Sequence, residues 1–278
     1  MEKLKKEEVL KKIDEMGLSW YNSYFWKYQY QLALDYIIPY LKSLGIRIVG
    51  KAICEIGSAE GGVLFAFAQE SAEVCLATDI AESRLQAGKR IADEFAFNID
   101  FQRHDILNDP IPPNWQGKFD LVLLRDVIEH LDNPSLALRR ISELLNDDGY
   151  LYVTFPPYYS PFGGHQHQLG NFASKIPYIH WLPRKLFYLV VKNGRPADAE
   201  EVRRLKSINL TIKKFMDIVS KNGFEIVDER YFLIRPVYKY KFGLNSVEIP
   251  RFINFKLAKE IFASEASYLL KKKRKYGN

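Results

Sequence analysis

Twelve residues, Pro156-Pro-Tyr-Tyr-Ser-Pro-Phe-Gly-Gly-His-Gln-His167, place two of the chain's five histidines between prolines and glycines. The prolines exclude a helix interior and break a strand at both ends, so the segment is a loop. Imidazoles titrate near neutrality, so His165 or His167 could take a proton from a hydroxyl or orient an acceptor. They could equally tie the loop to backbone carbonyls and do no chemistry. His130, directly after Glu129, is a third imidazole; on its own it reads as a packed or hydrogen-bonded residue.

A second group of residues could hold a nucleoside. The run Glu55-Ile-Gly57-Ser58-Ala59-Glu-Gly61-Gly62 closes an apolar strand and opens a helix. Such a turn lets the backbone approach a ligand closely and turns a helix N-terminus toward it. It departs from G-x-G-x-x-G, because Ala59 stands at the second glycine and Gly61 closes the turn early. Asp79 ends the next strand about twenty residues on, where a carboxylate can accept both ribose hydroxyls. Asp105 and Ile106 follow a third strand and can meet an adenine edge and face. Arg125-Asp126-Val127-Ile-Glu129-His130 follows a fourth. Ligands of doubly wound sheets bind outside the carboxyl ends of the strands, so all these residues face one crevice.

The elements that must position them alternate. Strands are expected at 51–57, 73–79, 100–105, 119–124 and 150–155, with helices between them. One of these helices is capped by Asn133 and has Pro134 at its first position. The alternation predicts an α/β protein: a Rossmann-like, doubly wound, mostly parallel seven-stranded sheet. A helical cap is expected over residues 1–46, including a tyrosine-rich helix at 21–43, and the cofactor-binding domain over 47–278. Two insertions interrupt that domain, a lid at 157–207 and a second segment at 236–263 with a helix from Pro250 to Phe262. The sheet closes with strands at 224–233 and 266–271.

These motifs together resemble those of class I S-adenosylmethionine-dependent methyltransferases, from Lys51 to Phe155 and again from Leu210 to Lys271. The resemblance implies that the Gly57 turn lies by the methionine part of the cofactor, with Glu55 organising the site. It implies ribose on Asp79, adenine beside Ile80, and Asp105-Ile106 as the adenine-contacting pair. Asp126-Val127-Ile-Glu129-His130 is similar to the D-V-x-E-H run of small-molecule enzymes, so the expected activity is methyl transfer to a hydroxyl of a small-molecule or glycan-like acceptor. His165, His167 and His130 are the catalytic candidates. The same run resembles the E-x-x-E-H ligand set of some 2′-O- and ubiquinone-pathway enzymes, with Asp in place of the first Glu. A divalent metal completed by a loop histidine is therefore an alternative to a histidine base or a purely structural loop. An RNA or protein methyltransferase, or a silent cofactor-binding partner subunit, are the competing functions.

The composition agrees with a globular enzyme: 278 residues, 47% hydrophobic, 27% charged and 14% aromatic. The net charge of +6 includes five cations in Lys271–Lys275, so the body is near neutral and nucleic acid is not the expected partner. That basic run reads as a solvated tail, or as a weak anchor on an anionic membrane surface. Cys54 and Cys75 lie in apolar runs, as buried reduced thiols of a cytoplasmic protein do. No signal peptide and no membrane-spanning stretch are expected.

Overall fold

The structure is a computed structural model, and it describes residues 4–192, 194–250, 252 and 256–273. Five strands, β1 (Ala52–Ile56), β2 (Val74–Asp79), β3 (Asp100–Arg103), β4 (Phe119–Arg125) and β5 (Leu145–Phe155), run parallel. The last long strand, β8 (Glu265–Lys272), is antiparallel to β5 and to β6 (Phe224–Ile234). The order is β3-β2-β1-β4-β5-β8-β6, with a short strand, β7 (Val247–Glu248), at the β6 edge. Eight strands are present where seven were expected. The addition is β7 (Val247–Glu248), a two-residue edge strand that the second insertion lays against β6.

Helices cover both faces: α4 (Gly62–Gln69), α5 (Glu82–Glu94), α6 (Pro134–Leu144) and α9 (Ile212–Lys221). Asn133 caps α6 by accepting from Leu136 N. β1 and β4 are buried on both faces, which explains their unbroken apolar runs.

The N-terminal segment forms α1 (Lys6–Glu15), α2 (Trp20–Leu32) and α3 (Ile38–Ser43), with a π-helical turn at Ala33–Ile37 joining the last two. Pro39 explains the turn. It has no N–H to continue the α-helical ladder, and the widened turn, in which Ile38 N donates to Ala33 O, absorbs the break. Gly62 lets α2 seat on the start of α4, because a side chain there would strike the backbone of Trp26. Trp26 and Tyr30 then pack edge-on against Phe65.

The first insertion holds α7 (Arg184–Val191) and α8 (Pro196–Ile208) around a small core of its own, with Phe187, Val191 and Val202 buried. The second holds α10 (Tyr238–Phe242) and α11 (Lys256–Phe262). The helix expected from Pro250 begins at Lys256 among the described residues; 251 and 253–255 lie outside them. The basic tail is corrected in part. Lys271 and Lys272 belong to β8, and Lys273 N donates to Gly223 O. Positions 274 and 275 lie outside the described residues. Among the described residues, no helix is long and apolar enough to cross a membrane.

Candidate active site

A cavity of about 1080 Å³ opens at the carboxyl ends of the parallel strands. Of the residues singled out in the sequence, Glu55, Gly57, Ala59, Asp79, Ile80, Asp105, Ile106, Arg125, Asp126, Val127, His130, His165 and His167 line it. Ser58 and Gly61 do not. They shape the turn from below: Ser58 N donates to Thr78 O, and Gly61 N to Ser58 O.

The turn is built for close approach. Gly57 has φ +70°, and a Cβ there would overlap the Val127 side chain. Ala59 is also left-handed, at φ +54°. Asp79 holds that strained residue, since its Oδ2 accepts from Ala59 N at 2.8 Å and its Oδ1 from Ala81 N at 2.9 Å. The carboxylate therefore shapes the loop and still faces the cavity with lone pairs to spare. Glu55 is buried beneath, and its Oε2 has no partner. Burial pushes its carboxyl up to about 8, against the pull of Arg125. The narrow glycine turn, the spare acceptors on Asp79 and the orphaned Glu55 oxygen suit a nucleoside carrying an ammonium group, so S-adenosylmethionine fits the residues present.

The opposite wall carries the histidines. His130 and His165 stack with centroids 4.8 Å apart and planes 2° from parallel, and His167 stands edge-on to His165 at 5.5 Å. His130 Nδ1 lies 2.7 Å from Glu201 Oε1 of α8. Burial alone would lower the His130 pKa, but Glu201 and Glu129 hold it above the usual 6.5. His165 moves the other way: burial, His130 and His167 hold it well below 6.5. Burial with Lys241 and Arg235 also lowers His167. Burial pushes Glu129 up to about 7, opposed by His130 and helped by Asp126.

Glu129, His130 and His165 bring their ligating atoms within 4.8 Å of one another. Both Glu129 oxygens and His165 Nδ1 lack hydrogen-bond partners, and His130 Nε2 stands 3.8 Å from Glu129 Oε1, while Glu201 orients His130 as an outer carboxylate orients a metal-bound imidazole. The set therefore also fits a divalent cation. Asp126 is not part of this cluster. Its two oxygens take Arg235 Nη2 at 2.6 and 2.5 Å, and Arg235 is shared with Glu265. Burial would raise the Asp126 carboxyl, but Arg235 and Arg125 hold it low.

Several lining residues escaped the sequence reading. Arg235 follows β6, whose carboxyl end lies on the same edge as those of β1 and β4; the strand-end rule would have found it. Lys241 lies 4.3 Å from the Tyr28 ring, and burial brings it down to about 8. Phe25, Tyr28 and Gln29 of α2 close one side. Nothing in the sequence marked Glu201, 71 positions from His130.

Fold and site define a class I methyltransferase architecture. Residues 25–228 match a family described as a methyltransferase domain, and the chain belongs to this S-adenosylmethionine-dependent methyltransferase family. Among curated proteins, it is similar to the ubiquinone biosynthesis O-methyltransferase of Coxiella burnetii, 24% identical over 148 residues, covering 53% of this chain and 61% of that protein. The protein of the same name from Glaesserella parasuis is 24% identical over 151 residues, covering 53% and 63%. The chain thus matches about three fifths of the length of these relatives. Among solved structures, magnesium protoporphyrin IX methyltransferase from Synechocystis with bound S-adenosylhomocysteine superposes with TM-score 0.51 at 15% identity, covering 96% of this chain and 94% of that one. A putative sarcosine dimethylglycine methyltransferase from Galdieria sulphuraria gives 0.56 at 10% identity, covering 86% and 84%. At these identities the structural matches speak for the fold.

Proposed function

We propose that the protein transfers a methyl group from S-adenosylmethionine to a hydroxyl of a small-molecule or glycan-like acceptor, with His165 receiving or orienting the hydroxyl proton. The observation that carries this reading is a buried imidazole in the cavity wall with a free Nδ1, held neutral at physiological pH by its surroundings. A neutral imidazole is the form that accepts a proton.

Bound S-adenosylmethionine supplies a methyl group already activated by its sulfonium centre. The chain binds, orients and excludes water. Asp79 accepts from ribose, Ile106 and the exposed Ile80 flank the adenine, and the Gly57 turn admits the methionine portion. Residues 1–46 act as a cap that closes α2 over the cofactor, and 157–207 as a lid that brings His165 and His167 to the acceptor. The name O-methyltransferase on the curated relatives supports oxygen as the accepting atom.

Glu129, His130 and His165 favour a second reading, in which a divalent ion acts as Lewis acid on the acceptor oxygen. Labelled-methyl transfer into lipid, polysaccharide, RNA, protein and small-molecule fractions, with and without chelator, separates these readings. Label in the small-molecule or glycan fraction that survives chelation and is lost in His165→Gln supports the base. Loss on chelation, restored by a divalent ion, supports the metal. Label in RNA or protein alone, or cofactor binding without transfer into any fraction, overturns the proposal.

A further inference from the structure

The lid carries a surface that methyl transfer does not use. From Pro156 through Ala197 there is no aspartate or glutamate, while Lys175, Arg184, Lys185, Lys192 and Arg195 are all exposed. Arg195 is paired with Asp198. Among the described residues, none of Lys175, Arg184, Lys185 and Lys192 has a carboxylate partner.

Helix α7, Arg-Lys-Leu-Phe-Tyr-Leu-Val-Val, is apolar on two sides. Its inner side buries Phe187 and Val191 in the lid's own core. Its outer side leaves Leu186 52% and Leu189 54% exposed, one turn apart. Phe172 at 65%, Trp181 at 46% and Ile176 at 40% add exposed apolar surface on the same segment. A helix apolar all round is normally covered on both sides. Here the exposed apolar side chains share the lid segment with exposed cations that have no carboxylate partner among the described residues, Arg184 donating only to the Tyr188 hydroxyl.

We propose that the outer side of the lid docks on an anionic lipid surface, with Leu186, Leu189 and Trp181 entering the headgroup boundary and the surrounding Lys and Arg meeting lipid phosphates. The side-chain chemistry favours lipid over nucleic acid. Bases stack on aromatic faces, and although Phe172 and Trp181 are exposed, three of the five exposed apolar side chains, Leu186, Leu189 and Ile176, offer only aliphatic burial. The charge favours an anionic leaflet, because no carboxylate of the segment opposes it before Asp198. Docking would place the membrane against the element whose Phe162, His165 and Gln168 line the cavity.

The test uses the purified chain and vesicles of phosphatidylcholine with or without phosphatidylglycerol. Co-sedimentation is expected with the anionic vesicles and to fall as salt rises. Leu186→Glu with Leu189→Glu should weaken partition by about tenfold or more while the thermal midpoint changes little, because about half of each residue already faces water. Arg184→Glu with Lys185→Glu should weaken binding to anionic vesicles and leave the weak binding to neutral ones alone. Equal binding by the Leu186/Leu189 variant and the parent overturns the proposal. So does retention on single-stranded RNA without vesicle binding, or a concentration-dependent dimer that the Leu186/Leu189 variant abolishes. Vesicle binding is read without any methyl acceptor, so its failure leaves the catalytic reading untouched.

Discussion

Glu201→Gln tests whether the lid tunes the histidine pair. Glu201 Oε1 meets His130 Nδ1 at 2.7 Å, and its oxygens take Arg204 Nε and Nη2 at 2.9 and 3.0 Å. Burial would raise this carboxyl, yet His130 and Arg204 bring it from 4.5 down to about 2. A carboxyl displaced that far carries about 3 kcal/mol of linkage free energy above its unfolded pKa. With 27% of the side chain in water, screening reduces this to about 1–2 kcal/mol for the loss of charge. The depressed carboxyl stabilises fully above 4.5, and the effect fades as pH falls toward 2. His130, held above 6.5, contributes fully below 6.5 and loses its share as pH rises through its raised pKa. The pair is therefore strongest between these limits. Urea denaturation at pH 6 should show the variant less stable by about 1–2 kcal/mol, with the gap narrowing at pH 3.5. Imidazole NMR should show the His130 pKa falling and the His165 pKa rising, as positive charge on His130 is lost more readily. Equal stability at pH 6 with an unmoved His130 titration would refute the coupling.

Three further outcomes follow from the turn. Gly57→Ala forces a Cβ into Val127 at φ +70°; it should cost about 1–3 kcal/mol in thermal stability and weaken S-adenosylmethionine binding. Asp79→Ala removes both the proposed ribose acceptor and the ties to Ala59 N and Ala81 N; calorimetry should show affinity down more than about tenfold, with Asp79→Asn in between. An unchanged affinity would remove Asp79 from the cofactor site. Glu55, raised to about 8, destabilises the cofactor-free protein increasingly as pH climbs from 4.5 to 8. Glu55→Gln should therefore be more stable than the parent at pH 8 by about 1 kcal/mol or more, and converge with it near pH 5. A pH-independent difference would place the effect in packing instead of charge.

The linear sequence determined the parallel core and the polar residues that line the cavity at its carboxyl edge. Apolar runs alternating with amphipathic helices have one economical packing, and the polar residues that end those runs must collect at one edge of the sheet. Gly57, Asp79, Asp105 and Asp126 were legible for that reason. So was Asn133, whose cap depends only on residues three positions away. Tertiary structure decided what depends on contacts between distant segments. Arg235 reaches Asp126, and Glu201 reaches His130, across 109 and 71 positions. A two-residue edge strand formed where the second insertion happened to lie along β6. The pKa values of His130 and His165 move in opposite directions because one imidazole faces carboxylates and the other is buried among imidazoles. Residue identity supplies a titratable group, but burial and the neighbours brought by folding decide which way its pKa moves.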